Sequence, residues 1–203
     1  MSRRERVGCY PGSFNPPTVA HLAVAAAARS SCRLDRIDLV VSRVALAKES
    51  VAVPSLEDRL AVLRSVVSAP TRSSWLGLVL TDAQLLVDVA EGYDVLVLGA
   101  DKWTQVLDPS FYRGSASARD AAVAALPALA VAPRDDGNGS LSLPLPVGTI
   151  VLAVPDSMAG VSSTAVRVHG RSEWMVEEAA AFDRETGAWT DPSRYAAWSA
   201  RRA

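Results

Sequence analysis

The sequence predicts a doubly wound parallel α/β sheet of about five to six strands, with helices on both faces and a small C-terminal helical extension. Three observations predict it. Strand-like and helix-like segments alternate regularly from residue 6 to residue 168, the pattern of crossovers that build a parallel sheet. Asp94–Gly99 (DVLVLG) is a near-continuous apolar run, as a central strand covered on both faces requires. The chain has 203 residues, 49% of them hydrophobic, enough to bury one core without disulfide or metal staples.

Each element has its own reason. Arg6–Tyr10 reads as a strand stopped by Pro11-Gly12, a turn signal. Val19–Arg29 is Ala-rich and helical. Ile37–Val41 (IDLVV) is a strand. Ser55–Val67 carries apolar residues at Leu60, Val62, Leu63, Val66 and Val67; Ser55 caps it, with Asp58 in the third position of a capping box. Trp75–Leu80 is a strand, Asp82–Glu91 a helix, Asp94–Gly99 a strand, Ser117–Leu126 a helix and Ala128–Ala132 a strand. Pro133–Pro146 is a loop by its Gly, Asn and Pro content. Thr149–Val154 is the last strand, and Ser162–Val168 a helix stopped at His169-Gly170. Residues 171–203 look helical with breaks at Gly187 and Pro192. The expected division is a domain over 1–170 and an extension over 171–203 packed on it.

Composition narrows the function. Twenty-one basic and 22 acidic residues give a net charge of −1, which argues against nucleic-acid polymers and acidic membranes as partners but leaves room for a local anion site. Only Lys48 and Lys102 are lysines; the Arg bias fits a GC-rich genome. Two cysteines are too few for a disulfide scaffold, and Cys9, in an apolar run, reads as buried and inert. Two His and two Cys give no zinc pattern, so no metal ligands are expected among the side chains. The longest apolar stretch, Ala121–Pro133, contains Pro127 and is too short to span a membrane. A basic start meets Pro11-Gly12 before any hydrophobic region of signal-peptide length. The expectation is a soluble cytoplasmic protein.

In a doubly wound sheet, ligands bind at the carboxyl ends of strands where the strand order reverses, here after Tyr10 and after Leu98. The first loop runs Gly12-Ser13-Phe14-Asn15-Pro16-Pro17-Thr18-Val19-Ala20-His21. Gly12 lets backbone approach a ligand, and the helix start offers N–H groups to an anion. Thr18 and His21, three apart, share the first turn's face. The same residues also suit a turn with a capping Thr and a packed His. The second segment is Val161-Ser162-Ser163-Thr164-Ala165-Val166-Arg167. Helical side chains lean toward the N-terminus, so hydroxyls, backbone N–H groups and the Arg167 guanidinium converge in a way that suits a polyphosphate. A simple cap explains the serines equally.

These motifs resemble those of the nucleotidyltransferase superfamily. GSFNPPTVAH looks like the GxFxPxTxxH form of the (H/T)xGH signature, and VSSTAVR looks like ISSTxxR. Leu98-Gly99-Ala100-Asp101 resembles the GAD segment of nicotinamide/nicotinate mononucleotide adenylyltransferases. The likeness covers residues 6–170 and implies a Rossmann-like fold. It implies that AMP passes from ATP to nicotinate or nicotinamide mononucleotide, releasing pyrophosphate in NAD biosynthesis, with Mg2+ carried on the ATP phosphates. By resemblance, His21 and Thr18 are the catalytic pair. Gly12, Ser13, Phe14, Thr18, His21, Lys48, Ser162, Ser163, Thr164 and Arg167 contact ATP. Gly99, Asp101, Trp103 and Tyr112 contact ribose or acceptor, the two aromatics by stacking on the pyridine ring. Lys48 and the aromatics have ordinary loop or core readings beside these, Lys102 is read as solvated, and His169 as a helix-end cap.

Two departures open alternatives. Ala20 stands where the motif commonly has Gly. Thr81-Asp82-Ala83-Gln84-Leu85 replaces the Ser-Tyr-Thr-rich segment of bacterial nicotinate enzymes. YPGSF and Ser55-Leu56-Glu57-Asp58-Arg59 also resemble phosphopantetheine adenylyltransferases. One alternative is therefore AMP or CMP transfer to another phosphate acceptor. The other is a nucleotide-binding regulatory protein without turnover. Homo-oligomerisation is left open.

Overall fold

The computed structural model describes residues 3–44, 53–133 and 145–202. Among them, six parallel strands form one sheet: β1 (Val7–Pro11), β2 (Arg36–Ser42), β3 (Leu76–Thr81), β4 (Val95–Gly99), β5 (Ala128–Ala132) and β6 (Ile150–Val151). Their order is β3-β2-β1-β4-β5-β6, so the chain winds one way from β1 and the other way from β4. The helices are α1 (Val19–Ser31), α2 (Leu56–Ser68), α3 (Leu86–Val89), α4 (Ala100–Leu107), α5 (Ala116–Ala124), α6 (Ser163–His169), α7 (Glu177–Thr186) and α8 (Pro192–Ala200). The expected doubly wound, Rossmann-like sheet is the observed one.

The apolar run of β4 has the reason assigned to it. Val95 and Val97 face a core with Val24 and Ala28 of α1 and Leu63 and Val66 of α2. Leu96 and Leu98 face a second core with Val89 of α3 and Trp103 and Val106 of α4. Pairing between β1 and β4 stops at Cys9↔Leu96, whereas β1 follows β2 as far as Pro11↔Val40. The carboxyl ends of β1 and β4 therefore part where the winding reverses, and the loops that follow them flank the opening.

Several elements differ from the sequence reading. The helix expected over Asp82–Glu91 is only Leu86–Val89. Hydroxyls hold the chain before it out of helix: Thr81 Oγ1 accepts from the Ala83 N–H at 3.1 Å, and Ser42 Oγ donates to the Ala83 carbonyl at 2.8 Å. The strand expected over Thr149–Val154 shortens to Ile150–Val151 at the sheet edge. Helix α4 is an element beyond those the sequence predicts. Its inward side chains, Trp103 and Val106, are buried and lie three apart, one turn of a helix face. Most of the loop expected over Pro133–Pro146 lies outside the described residues.

Cys9 is fully buried, its thiol 3.6 Å from the Val89 carbonyl. Burial, with Asp38 nearby, pushes the thiol pKa up, which keeps it a thiol. No helix among the described residues is long and apolar enough to cross a membrane.

Residues 171–202 form a 3-10 turn at Ser172–Trp174, then α7 and α8. The two breaks fall where the sequence puts them. Gly187 caps α7 at φ +77°, and a Cβ there would lie 2.8 Å from the Asp191 carbonyl oxygen. Pro192 opens α8 behind the Asp191 cap, a position where its missing N–H costs nothing. Met175, Val176, Ala179, Ala188, Trp189 and Tyr195 join the same buried cluster as α1 and α2.

Candidate active site

The first loop leaves β1 in contact with β2, the Gly12 N–H donating to the Val40 carbonyl at 3.0 Å. A Cβ on Gly12 would sit 3.0–3.2 Å from the Phe14 ring. The space that glycine leaves is therefore filled by Phe14, which turns back at φ 44° and is 1% exposed. Local packing is therefore one reason for glycine at position 12. Phe14, Tyr10 and His21 form an edge-on aromatic group, with Phe14 5.1 Å from His21 and 5.6 Å from Tyr10, centroid to centroid.

Thr18 caps α1 from an extended conformation and is fully buried. Its backbone N–H donates to His21 Nδ1 at 2.9 Å, and its Oγ1 lies 2.8 Å from the same nitrogen. His21 thus closes a capping box in the role usually taken by Glu or Gln. A ring nitrogen that accepts an N–H carries no proton, so the proton of the neutral ring is on Nε2. Thr18 and His21 meet as the spacing predicts.

The second segment meets the first across the molecule. Ser162 caps α6, accepting from the Ala165 N–H at 3.1 Å. Ser163 Oγ donates to the Pro16 carbonyl at 2.7 Å, and Arg167 Nη1 donates to the Asn15 carbonyl. The guanidinium crosses to the first loop rather than folding over its own first turn. Thr164 is exposed on the same turn of α6. His169 ends α6 beside Gly170, which caps it at φ 63°, consistent with a helix-end role.

A cavity of about 120 Å3 opens beside the loop, lined by Gly12, Ser13, Arg43, Arg59, Lys102 and Gln105 among others. Arg59 is 7% exposed and reaches from α2 to the Ser13 carbonyl at 3.1 Å. In the sequence it closes the Ser55–Arg59 segment, with no site role assigned to it. Its signal was an arginine on the inward face of α2, three and four residues before Val62 and Leu63. Lys102, expected to be solvated, is half-buried on the wall of this cavity, its Nζ 3.3 Å from Gln105 Oε1.

The GAD segment divides. Gly99 caps α4, and Asp101 is exposed on its first turn, at the opening between β1 and β4. Trp103 is 1% exposed inside the second core. Its assignment to ring stacking is corrected: both faces are enclosed by protein, and the indole is a core residue. Tyr112 is half-buried, its hydroxyl donating to the Val106 carbonyl at 3.0 Å, and burial pushes its pKa up. It lies in the 3-10 turn at Pro109–Tyr112 that follows α4. Lys48 lies outside the described residues.

Comparisons place this arrangement. The chain resembles Plasmodium falciparum nicotinic acid mononucleotide adenylyltransferase complexed with APC, at 13% identity and a TM-score of 0.62, over 92% of this chain and 98% of that one. It matches the same parasite enzyme complexed with NaAD over the same shares, at 13% identity and a TM-score of 0.64. No curated protein matches the sequence significantly. The likeness to the solved structures is one of fold. The profile of the cytidylyltransferase-like family matches residues 9–169, a span that holds both the first loop and Arg167. The chain therefore belongs to the cytidylyltransferase-like family of nucleotidyltransferases.

Proposed function

We propose that this nucleotidyltransferase is an adenylyltransferase that moves AMP from ATP to nicotinate mononucleotide, with the nicotinamide form as the lesser acceptor. The observation that carries this reading is the meeting of the two motif segments at the reversal point of the sheet. Ser163 and Arg167 touch the carbonyls of Pro16 and Asn15, five and six residues before His21. A triphosphate lying along this junction would meet the start of α1, the Nε2–H of His21 and the remaining donors of the guanidinium.

An oxygen of the acceptor's phosphate attacks the α-phosphorus of ATP. That bond forms as the bond from the α-phosphorus to the bridging oxygen breaks, and pyrophosphate carries the electron pair away. No covalent enzyme intermediate is needed, so catalysis rests on positioning and on donors aimed at developing charge. In this reading His21 donates to the reacting phosphate, while Ser162, Ser163, Thr164 and Arg167 hold the β- and γ-phosphates. Mg2+ supplies charge neutralisation on the phosphate oxygens. When bound, Mg2+ would be held through the ATP phosphates and water.

The acceptor belongs beside the loop. Arg43, Arg59 and Lys102 around the cavity suit an acceptor bearing phosphate and a ring carboxylate, which favours the acid form. The resemblance to solved nicotinic acid mononucleotide adenylyltransferases supports the same choice. The test is pyrophosphate release with Mg2+, using ATP or CTP against nicotinate mononucleotide, nicotinamide mononucleotide and phosphopantetheine. The expected result is the highest kcat/KM for ATP with nicotinate mononucleotide. A win for phosphopantetheine overturns the acceptor. A win for CTP overturns the adenylyl group. Binding of ATP without turnover on any acceptor makes the protein a nucleotide-binding regulator.

A further inference from the structure

Asn15 lies where four segments meet, and the side chain that holds it comes from residue 189. Asn15 is 2% exposed. Its carbonyl takes Arg167, and its Nδ2 lies 3.5 Å from the Val53 carbonyl. Its Oδ1 accepts the indole N–H of Trp189 at 2.6 Å, between two buried groups 174 positions apart. Trp189 is itself tightly held. The Asp183 carboxylate, 4% exposed, accepts the Trp189 N–H at 2.6 Å, the Thr190 N–H at 3.1 Å and the Thr190 hydroxyl at 2.6 Å. Phe182 packs edge-on to the Trp189 ring at 5.9 Å. A second tie runs in parallel, the Val176 N–H donating to the Pro17 carbonyl at 3.2 Å.

We propose that Trp189 is a positioning residue for the phosphate loop. Its indole N–H pins the Asn15 side chain. That pin sets the main chain of residues 15 and 16 so that their carbonyls face Arg167 and Ser163, and it aims the start of α1. A short bond between two buried neutral groups leaves neither partner an alternative when the other is removed. The loop turns through Phe14 at positive φ, so its path depends on being held. The kinetic consequence rests on the adenylyl-transfer reading; the geometric one does not.

The test uses the full chain with Trp189→Phe, which keeps an aromatic ring against Phe182 and removes the N–H together with part of the indole's bulk. Amide hydrogen exchange across residues 12–21 should quicken roughly 2- to 10-fold, the range for one lost hydrogen bond, while β4 and β5 keep their protection. kcat should fall about tenfold through misplacement, with KM for the acceptor held within about twofold. Asn15→Ala should give the same exchange pattern, and the double variant should lose no more than either single one, since both remove one contact. Unchanged exchange at residues 12–21 overturns the positioning role. So does loss of protection spread over the whole sheet, or a double variant whose losses add. Where the wild type turns over no acceptor, the adenylyl-transfer reading fails and the exchange comparison alone decides this one.

Discussion

On the proposed function His21 would carry two jobs in a single ring, separated by nitrogen. Nδ1 accepts the Thr18 N–H and closes the start of α1; the phosphate role proposed above falls to Nε2. Replacing His21 by Ala should lower kcat about 10²- to 10³-fold, the worth of one donor to developing charge. It should also cost about 1 kcal/mol of stability through the lost cap contact. Pyrophosphate release and a denaturant melt measured on the same preparation check both figures. Near-wild-type turnover by the folded variant would remove His21 from the chemistry. The spacing of Thr18 and His21 was legible because helical geometry fixes neighbours three apart. Phe14 in the space beside Gly12 was not, because that contact depends on a positive φ that no local residue pattern announces.

Helix α2 shows how an element can be right in sequence and different in bonding. Ser55 caps it as expected, accepting from the Asp58 N–H at 3.1 Å. The reciprocal half of the capping box is replaced. The Ser55 N–H donates to the Tyr195 hydroxyl at 2.9 Å, and that hydroxyl donates to Asp58 Oδ2 at 2.5 Å. Burial and the bond to Asp58 push the Tyr195 phenol pKa up. Tyr195→Phe leaves the Ser55 N–H without this partner, so it should destabilise the fold by about 1–3 kcal/mol, read from the denaturant midpoint at constant slope. A change below about 0.5 kcal/mol would show that water replaces the hydroxyl. Trp103 is the mirror case. Its place in the GAD segment suggests a ligand contact. The three-residue spacing to Val106 carried the opposite message, a helix face turned to the core, and tertiary packing settled it.

At the scale of the molecule, the doubly wound parallel sheet followed from alternation and from the two-faced run of β4, because parallel crossovers admit few topologies. The meeting of residues 15 and 16 with 163 and 167 was legible only through motif resemblance. The part played by residues 171–202 was not, since its contacts span up to 174 positions and nothing periodic encodes them. Because Met175, Val176, Ala179, Ala188, Trp189 and Tyr195 lie in the main core, a chain ended after Gly170 should lose its cooperative melt by circular dichroism. A cooperative transition within about 5 °C of the full chain would make the segment dispensable to the fold. The bond from Trp189 to Asn15 also sets a timetable. On the ribosome the loop is made early and its anchor late. At roughly 5–20 residues per second, the interval is about 9 to 35 s. Until then a nascent chain holds the loop without its Trp189 tie. In that interval the residues of the loop are present but their contact with Trp189 is not.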